Sequence, residues 1–301
     1  MPLPVSIVIP TFNRATLLVE FLPSYLAEDC SEVIVVDDSS SPPVESALSR
    51  LPPGISGRCP IRVIRNTSRL QQPASRMVGV RAASQPYIFF GEDDAFLTPG
   101  HIHALFHYVS KGEADIVASY WPSTVSAQPD LSVLSRMPEA SSPGDFVNLV
   151  DITMRTDHRI TRPIPVFFLH TLALMPRDLV LRVGFDPQYK GNAFREETDF
   201  YLRAFHEGAR LALVPAPPAF HYKGARNSGG GQRGGMTLRS FIWYEYWVVR
   251  NNYYFLKKNA PILDGIVGRR RPLAQTVRYM LRRSLGYPGR LRAEVRRRWG
   301  A

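Results

Sequence analysis

The feature that most constrains this chain is a pair of continuous β-branched runs, VSIVI at 5–9 and VIVV at 33–36, separated by a segment with helical spacing. A strand wetted on one face alternates apolar and polar residues, whereas an unbroken apolar run marks a strand buried on both faces of a parallel sheet. Between the runs, residues 14–27 place Leu17, Leu18, Phe21, Leu22 and Tyr25 at helical spacing, which completes a β-α-β unit. The alternation continues with a strand at 61–64, a helix at 75–83 and a strand at 87–90 (YIFF) that runs into Glu92, Asp93 and Asp94. The expected class is therefore α/β with a doubly wound sheet, and such sheets bind ligands at the carboxyl ends of their strands.

Further on, the pattern predicts a helix at 99–110, strands at 114–119 and 166–175, a helix at 196–207 ended by Gly208, and a late strand at 211–214. Residues 122–145, rich in Pro and Ser, read as an irregular surface excursion, and 224–235 (GARNSGGGQRGG) as a mobile loop near His221. Charge divides the chain. Residues 241–301 hold 14 Lys and Arg against three acidic residues, while the first 240 hold 23 of each sign, so the net charge of +11 resides in the tail. The expected organisation is a globular domain over 1–235 and a basic, amphipathic helical region over 236–301. In the latter, Leu273, Val277, Met280 and Leu281 share a helical face while Arg278, Arg282 and Arg283 lie largely off it, and Leu291, Val295 and Trp299 repeat the pattern. Such helices suit an anionic membrane surface. The opening MPLPVSIVIP lacks the basic region of a signal peptide, no apolar run reaches the ~18–20 residues of a spanning helix, and the two cysteines fit a reducing compartment. These features predict a cytoplasmic chain, peripheral on the membrane.

The chemistry lies after the strands. The first loop, Pro10-Thr11-Phe12-Asn13-Arg14, has no glycine, which disfavours a P-loop or a dinucleotide-binding turn. The second strand ends in Asp37-Asp38-Ser39-Ser40, where a carboxylate can accept from a base or ribose hydroxyl and can equally cap a turn or helix. Glu92, Asp93 and Asp94 repel one another unless a cation or hydrogen-bond donors compensate; carboxylate oxygens suit Mg²⁺ or Mn²⁺, and the alternative is an exposed acidic turn. Arg195-Glu196-Glu197-Thr198-Asp199 opens a helix, where the dipole favours acidic residues and Asp199 can pair with Arg203. His221, in AFHYKG, is either a ligand or a hydrogen-bonded surface or core residue.

Taken in order, VSIVIPTFNRATLL, VIVVDDSS, the stretch from ASRMVGVRAAS into YIFFGEDDAFL, EETDFYLRA and AFHYKG resemble the inverting GT-A glycosyltransferases of glycosyltransferase family 2, over about residues 4–225. The resemblance implies a GT-A fold: a Rossmann-like, mostly parallel mixed sheet with helices on both faces. It implies that Pro10, Thr11, Asn13 and Arg14, with Asp37 and Asp38, cradle the nucleoside and that Arg76 approaches the diphosphate. Glu92 and Asp94 match the outer positions of the D-x-D motif, with Asp93 between them and Asp94 as the direct metal ligand. Glu197 matches the catalytic base of the E-D motif, and His221 the histidine that many members supply to the metal. Glu196 and Asp199 would flank the acceptor. Apart from the resemblance, the glycine-rich 224–235 loop, with Arg226 and Arg233, reads either as a lid over the diphosphate or as a plain flexible linker to the tail. Glu92 and Glu197 each stand where the family usually has Asp, which lengthens the arm by a methylene and changes acid strength little, ~3.9 against ~4.3.

The implied cofactor is Mn²⁺ or Mg²⁺, the implied donor a UDP- or dTDP-sugar, and the implied acceptor a glycan or lipid-linked saccharide. Residues 250–254 (RNNYY), before Lys257 and Lys258, are similar to a segment of rhamnosyltransferase-like members, which points to bacterial envelope polysaccharide or glycolipid synthesis. The rival readings are a catalytically inactive nucleotide-sugar-binding scaffold and a sugar-phosphate nucleotidyltransferase, although the latter opens on a glycine-rich basic loop that PTFNRA is not. A nucleic-acid-binding protein would account for the arginine-rich tail but not for a neutral body with acidic strand ends, so no nucleic-acid partner is expected.

Overall fold

The computed structural model describes residues 1–51, 59–128, 131–149, 151–155, 158–223, 237–268 and 271–285. The expected alternation is present: β1 (Leu3–Thr11), α1 (Ala15–Leu26), β2 (Cys30–Asp37), the short α2 (Glu45–Leu48), β3 (Ile61–Arg65), α3 (Gln72–Ala82) and β4 (Tyr87–Phe90). Then come β5 (Ala95–Leu97), α4 (His101–Ser110) and β6 (Ile116–Ala118). The Pro- and Ser-rich excursion and the residues after it hold only short pieces: β7 (Ser123–Thr124), α5 (Ser132–Ser135), α6 (Pro143–Phe146), β8 (Val147–Asn148) and β9 (Thr153–Met154). The chain returns through β10 (Ile164–Val166), β11 (Ala173–Pro176), α7 (Arg177–Val183), α8 (Glu196–His206), β12 (Leu211–Leu213) and β13 (Ala219–Tyr222). Its described part closes with α9 (Leu238–Lys258), α10 (Ala260–Val267) and α11 (Pro272–Leu285).

Eight strands form the main sheet in the order β10-β12-β6-β11-β4-β1-β2-β3. β1 pairs in parallel with β2 and β4, β2 with β3, and β12 with β6, while β11 runs against β4 and β6 and β10 against β12. β1 explains the layering. Val5, Ile7 and Ile9 face Leu18 and Leu22 of α1 and Ile102 and Leu105 of α4, whereas Val8 joins Ile34, Val36, Met77 and Val80 on the other side. Both faces of the sheet are thus covered, as an unbroken apolar run requires. A second sheet, β5-β13-β7, carries His221 within β13, one strand removed from the loop that follows β4.

The strand expected over 166–175 is a correction. It is two strands, β10 and β11, separated in the sheet by β12 and β6. The residues between them leave the sheet, and four of them, Phe168 to Thr171, line the cavity described below. An apolar run reads the same whether it is a buried strand or the wall of a pocket.

The boundary expected at 235/236 lies outside the described residues. The helices that follow contribute Phe255, Leu256 and Leu263 to the core that holds Phe200 and Tyr201 of α8. A polar staple reinforces this contact: Asp199, fully buried, accepts from Tyr189 Oη (3.1 Å), Asn259 Nδ2 (2.8 Å), Arg203 Nε (2.8 Å) and Lys258 Nζ (3.0 Å). Asp199→Ala removes the shared anion and should cost about 3 kcal/mol, the low end for a broken buried pair because Arg203 and Lys258 are partly exposed. Chemical denaturation would read this as a lowered midpoint; an unchanged midpoint would contradict the staple.

Candidate active site

The loops at the carboxyl ends of β1, β2 and β4 open into a cavity of about 430 Å³, within the range of small-molecule sites. Pro10, Thr11, Phe12 and Arg14 enter it from the first loop, Asp38 from the second, Arg69 and Gln71 from the turn before α3, and Glu92, Asp93 and Asp94 from the end of β4. The opposite wall consists of Ile152 to Met154, Phe168 to Thr171 and Gly191 to Thr198, with Trp121 and His221 closing one end.

Two guanidiniums organise the acidic residues. Arg14 Nη1 donates to Asp93 Oδ1 (2.8 Å) and Asp94 Oδ2 (3.0 Å), and Thr11 Oγ1 donates to Asp93 Oδ2 (2.7 Å). Arg76, with no solvent exposure, donates through Nη1 to Glu196 Oε1 and through Nη2 to Glu197 Oε1 (2.9 Å), and lies 3.7 Å from Glu92 Oε1. Thr171 Oγ1 also donates to Glu197 Oε1. Tyr25 fixes the β4 exit, its hydroxyl accepting from the Glu92 N–H (3.1 Å) and donating to the Glu92 carbonyl (3.0 Å).

Six carboxylates, those of Asp38, Glu92, Asp93, Asp94, Glu196 and Glu197, line the cavity with the guanidiniums of Arg14, Arg69 and Arg195, and Arg76 stands behind its wall. Burial, with Asp94 and Glu197 nearby, pushes the Glu92 carboxyl well above the ordinary range, and burial also raises Asp93 against the pull of Arg14. Burial pushes Glu196 up to about 8, despite Arg76. Burial is the first cause of all three shifts, and the neighbouring carboxylates add to it. Glu92, Asp94 and His221 each place a ligand atom within 4.8 Å of the other two. Two carboxylates and one imidazole form a donor set that suits a divalent cation such as Mn²⁺ or Mg²⁺.

His221 is firmly held. Its Nε2 lies 3.5 Å from Asp94 Oδ2, and its ring stacks on Trp121 at 5.0 Å and 7°. Trp121 also stacks on His170 at 4.4 Å and 7°, and His170 Nε2 is 2.5 Å from the Ser119 carbonyl. Burial lowers His170 to about 3, so it remains neutral and serves as a wall.

Of the residues singled out in the sequence, Pro10, Thr11, Arg14, Asp38, Glu92, Asp93, Asp94, Glu196, Glu197 and His221 meet at the cavity. Asn13, Asp37, Arg76 and Asp199 do not line it. Asp37 accepts from the N–H groups of Ser40 and Val44 and from Arg65, the turn-and-cap reading of that position, and Asn13 ties the first loop to Ser40 and Ser41. Asp38 accepts from the N–H groups of Leu70 and Gln71 and from Asn66, and so fixes the turn before α3. Arg76 stands behind the wall, its guanidinium engaged by carboxylates, where an approach to a diphosphate was expected. Asp199 belongs to the core staple, and its expected pair with Arg203 is present. Arg226 and Arg233 lie outside the described residues.

Residues not anticipated are Phe12, Arg69, Gln71, Trp121, His170, Thr171 and Gly191. Arg69 lies over the Phe12 ring at 4.0 Å, a platform that neither residue announces alone. Gly191, at φ +71°, was the one local signal available: a side chain there would run into the Trp247 ring, so the turn that lines the cavity requires glycine. Six non-glycine residues among those described have positive φ, namely Asn13, Ser39, Gln71, Ile152, Ala193 and Arg195, and the last four line the cavity. Backbone strain of this kind, about 1–3 kcal/mol each, persists where a site over-determines it.

An open, mixed α/β sheet with this carboxylate-lined cleft at its strand ends has the GT-A fold. The chain spans 89% of its length against 72% of S. aureus TarS 1-349 in complex with UDP-GlcNAc, at 16% identity and a TM-score of 0.58. Against the complex with UDP the TM-score is 0.54 at 15% identity, covering 88% and 71% of the two chains. A further TarS 1-349 structure gives 0.53 at 16% identity, with 74% of this chain and 60% of that one covered. The chain belongs to glycosyl transferase family 2, whose sequence model matches residues 6–182. Over 105 residues it is 36% identical to the "Uncharacterized glycosyltransferase YwdF" of Bacillus subtilis (strain 168), a stretch that spans 34% of this chain and only 36% of that relative.

The raised Glu196 gives a pH signature. The folded chain keeps this proton up to about pH 8, whereas an unfolded glutamate releases it near ~4.3. The resulting stabilisation is full below the lower value and is lost as pH rises through the higher one. Glu196→Gln carries no such dependence. Its unfolding midpoint, measured against wild type, should therefore improve from about pH 5 to about pH 9; a constant difference would mean that Glu196 is ionised throughout.

Proposed function

We propose that this chain is a metal-dependent inverting glycosyltransferase that moves a sugar from a nucleoside diphosphate donor, a UDP- or dTDP-sugar, to an acceptor hydroxyl on a glycan or lipid-linked saccharide of the bacterial cell envelope. The observation that carries this reading is the buried Arg76, which joins Glu197 on one wall of the cavity to Glu92 on the other. A proton acceptor and a cation-holding carboxylate thus face one space large enough for a donor. The family and the UDP-GlcNAc and UDP complexes of the TarS neighbours support the donor class.

Glu92, Asp94 and His221 would hold Mn²⁺ or Mg²⁺, which when bound offsets the charge of a departing nucleoside diphosphate. Arg14 holds Asp94 in place, and Trp121 fixes the plane of His221. The Phe12 and Arg69 platform and Asp38 form the nucleoside end. Glu197 is the base. Its side chain is 29% exposed, and its contacts with Arg76 and Thr171 fall on Oε1, which leaves Oε2 to take a proton. As the acceptor oxygen bonds to the anomeric carbon, its proton passes to Glu197 and the carbon–oxygen bond to the diphosphate breaks on the opposite face with its electron pair. One displacement inverts the configuration.

A donor is first identified by thermal stabilisation with UDP-, dTDP-, GDP- and CMP-sugars in Mn²⁺. Glu197→Gln keeps the shape but cannot take a proton, so it should bind that donor near wild-type affinity while turnover falls by roughly 10²-fold or more. Donor binding without turnover in the wild type would favour the scaffold. Full turnover in the variant would remove Glu197 as base.

A further inference from the structure

We propose that the solvent-facing sides of α9 and α11 form a docking surface for an anionic lipid bilayer, joined directly to one wall of the cavity. On α11, Leu273, Val277 and Leu281 recur every four residues and are 67%, 50% and 61% exposed, with the exposed Arg271 and Arg278 beside them. On α9, Ile242, Tyr246, Val249 and Tyr253 fall on one helical stripe and are all exposed. Neither helix is free to turn these stripes inward. α9 already buries Val248, Asn252 and Phe255, and α11 buries Thr276 and engages Glu245 through Arg283 at 2.9 and 3.0 Å.

Charge selects the occupant. Among the described residues of 237–285, Arg239, Lys257, Arg271, Arg278 and Arg282 are exposed against one exposed acidic residue, Asp264, so a second copy of this surface would meet like charge, whereas an anionic headgroup layer would meet its complement. Tyr246, Tyr253 and the exposed Trp243 have the amphipathic rings that settle at a membrane interface. No helix among the described residues is long and apolar enough to cross a membrane, and the contact proposed runs along the surface.

The link to the cavity is short. Tyr279 of α11 stacks on Phe194 at 5.7 Å, and Arg282 lies 3.2 Å from the Asp151 carboxylate. Arg195 donates to the Ile152 carbonyl and to Asn252 Oδ1 (3.0 Å) of α9. Phe194, Arg195 and Ile152 all line the cavity. A bilayer seated on these helices therefore lies beside the cavity wall, and on the transferase reading the acceptor is lipid-linked.

The test uses full-length protein and vesicles of phosphatidylcholine with or without about one-third phosphatidylglycerol. Cosedimentation should be strong only with the anionic vesicles, should weaken with added salt, and should fall at least about tenfold in a Leu273→Glu/Val277→Glu/Leu281→Glu variant and in an Ile242→Glu/Tyr246→Glu variant. These positions are exposed, so both variants should keep the wild-type melting temperature and UDP-GlcNAc binding in Mn²⁺. Equal binding to neutral vesicles, or undiminished binding by both variants, would overturn the proposal. So would a wild-type dimer that the substitutions dissociate, which would make the occupant a second copy. UDP-GlcNAc affinity is read separately, so loss of the docking surface and loss of the transferase reading give different results.

Discussion

A single guanidinium without solvent contact, that of Arg76, holds the two walls of the cavity together. It projects from α3, meets Glu196 and Glu197 at the start of α8, and faces Glu92 at the end of β4. A buried cation is tolerable only when paired, and three clustered carboxylates only when a cation stands between them. Removing Arg76 would leave the acidic group without its centre, a loss of the order of 3–5 kcal/mol for a broken buried pair. α3 can carry this residue to the sheet because Gly79 lies against Val8 of β1 and Val36 of β2, where a side chain would not fit.

Around that guanidinium the site gathers further carboxylates. Arg14 holds Asp93 and Asp94, Arg76 meets Glu196 and Glu197 and faces Glu92, and Glu92, Asp94 and His221 present ligand atoms within 4.8 Å of one another. The stack of His221, Trp121 and His170 fixes the imidazole without spending a hydrogen bond of its Nε2 on the protein core. On the far wall, the strained Arg195 is held by Asn252 of α9 and lies over Tyr279 of α11, and it in turn holds the strained Ile152, so the basic C-terminal helices are part of the site's support as well as a surface.

The strands and the first helices were legible because burial on both faces writes itself as unbroken β-branched runs, and the acidic residues were legible because they end those strands. What the sequence did not disclose was long-range. Arg76 pairs with residues 120 and 121 positions away, and nothing near it distinguishes a guanidinium that binds phosphate from one that clamps carboxylates. Asp37 and Asp38 are neighbours with different tasks, one capping a turn and one at the cavity, and only the fold separates them. Residues 166–175 hid a pocket wall inside an apolar run, and Trp121 and His170 gained meaning only when β13 brought His221 beside them. The tail's amphipathic pattern was visible on α11, but the exposed stripe of α9 was not, because the same helix is apolar toward the core as well.

The central claim is that the carboxylate cleft binds a nucleoside diphosphate through a divalent cation, and calorimetric titration of UDP and UDP-GlcNAc into the full chain tests it directly. With Mn²⁺ present, affinity should exceed that in chelator by at least about tenfold, or about 1.4 kcal/mol, and Asp94→Ala, folded as judged by its melting curve, should lose that gain. Equal affinity in metal and in chelator would contradict the assignment of Glu92, Asp94 and His221 to a cation.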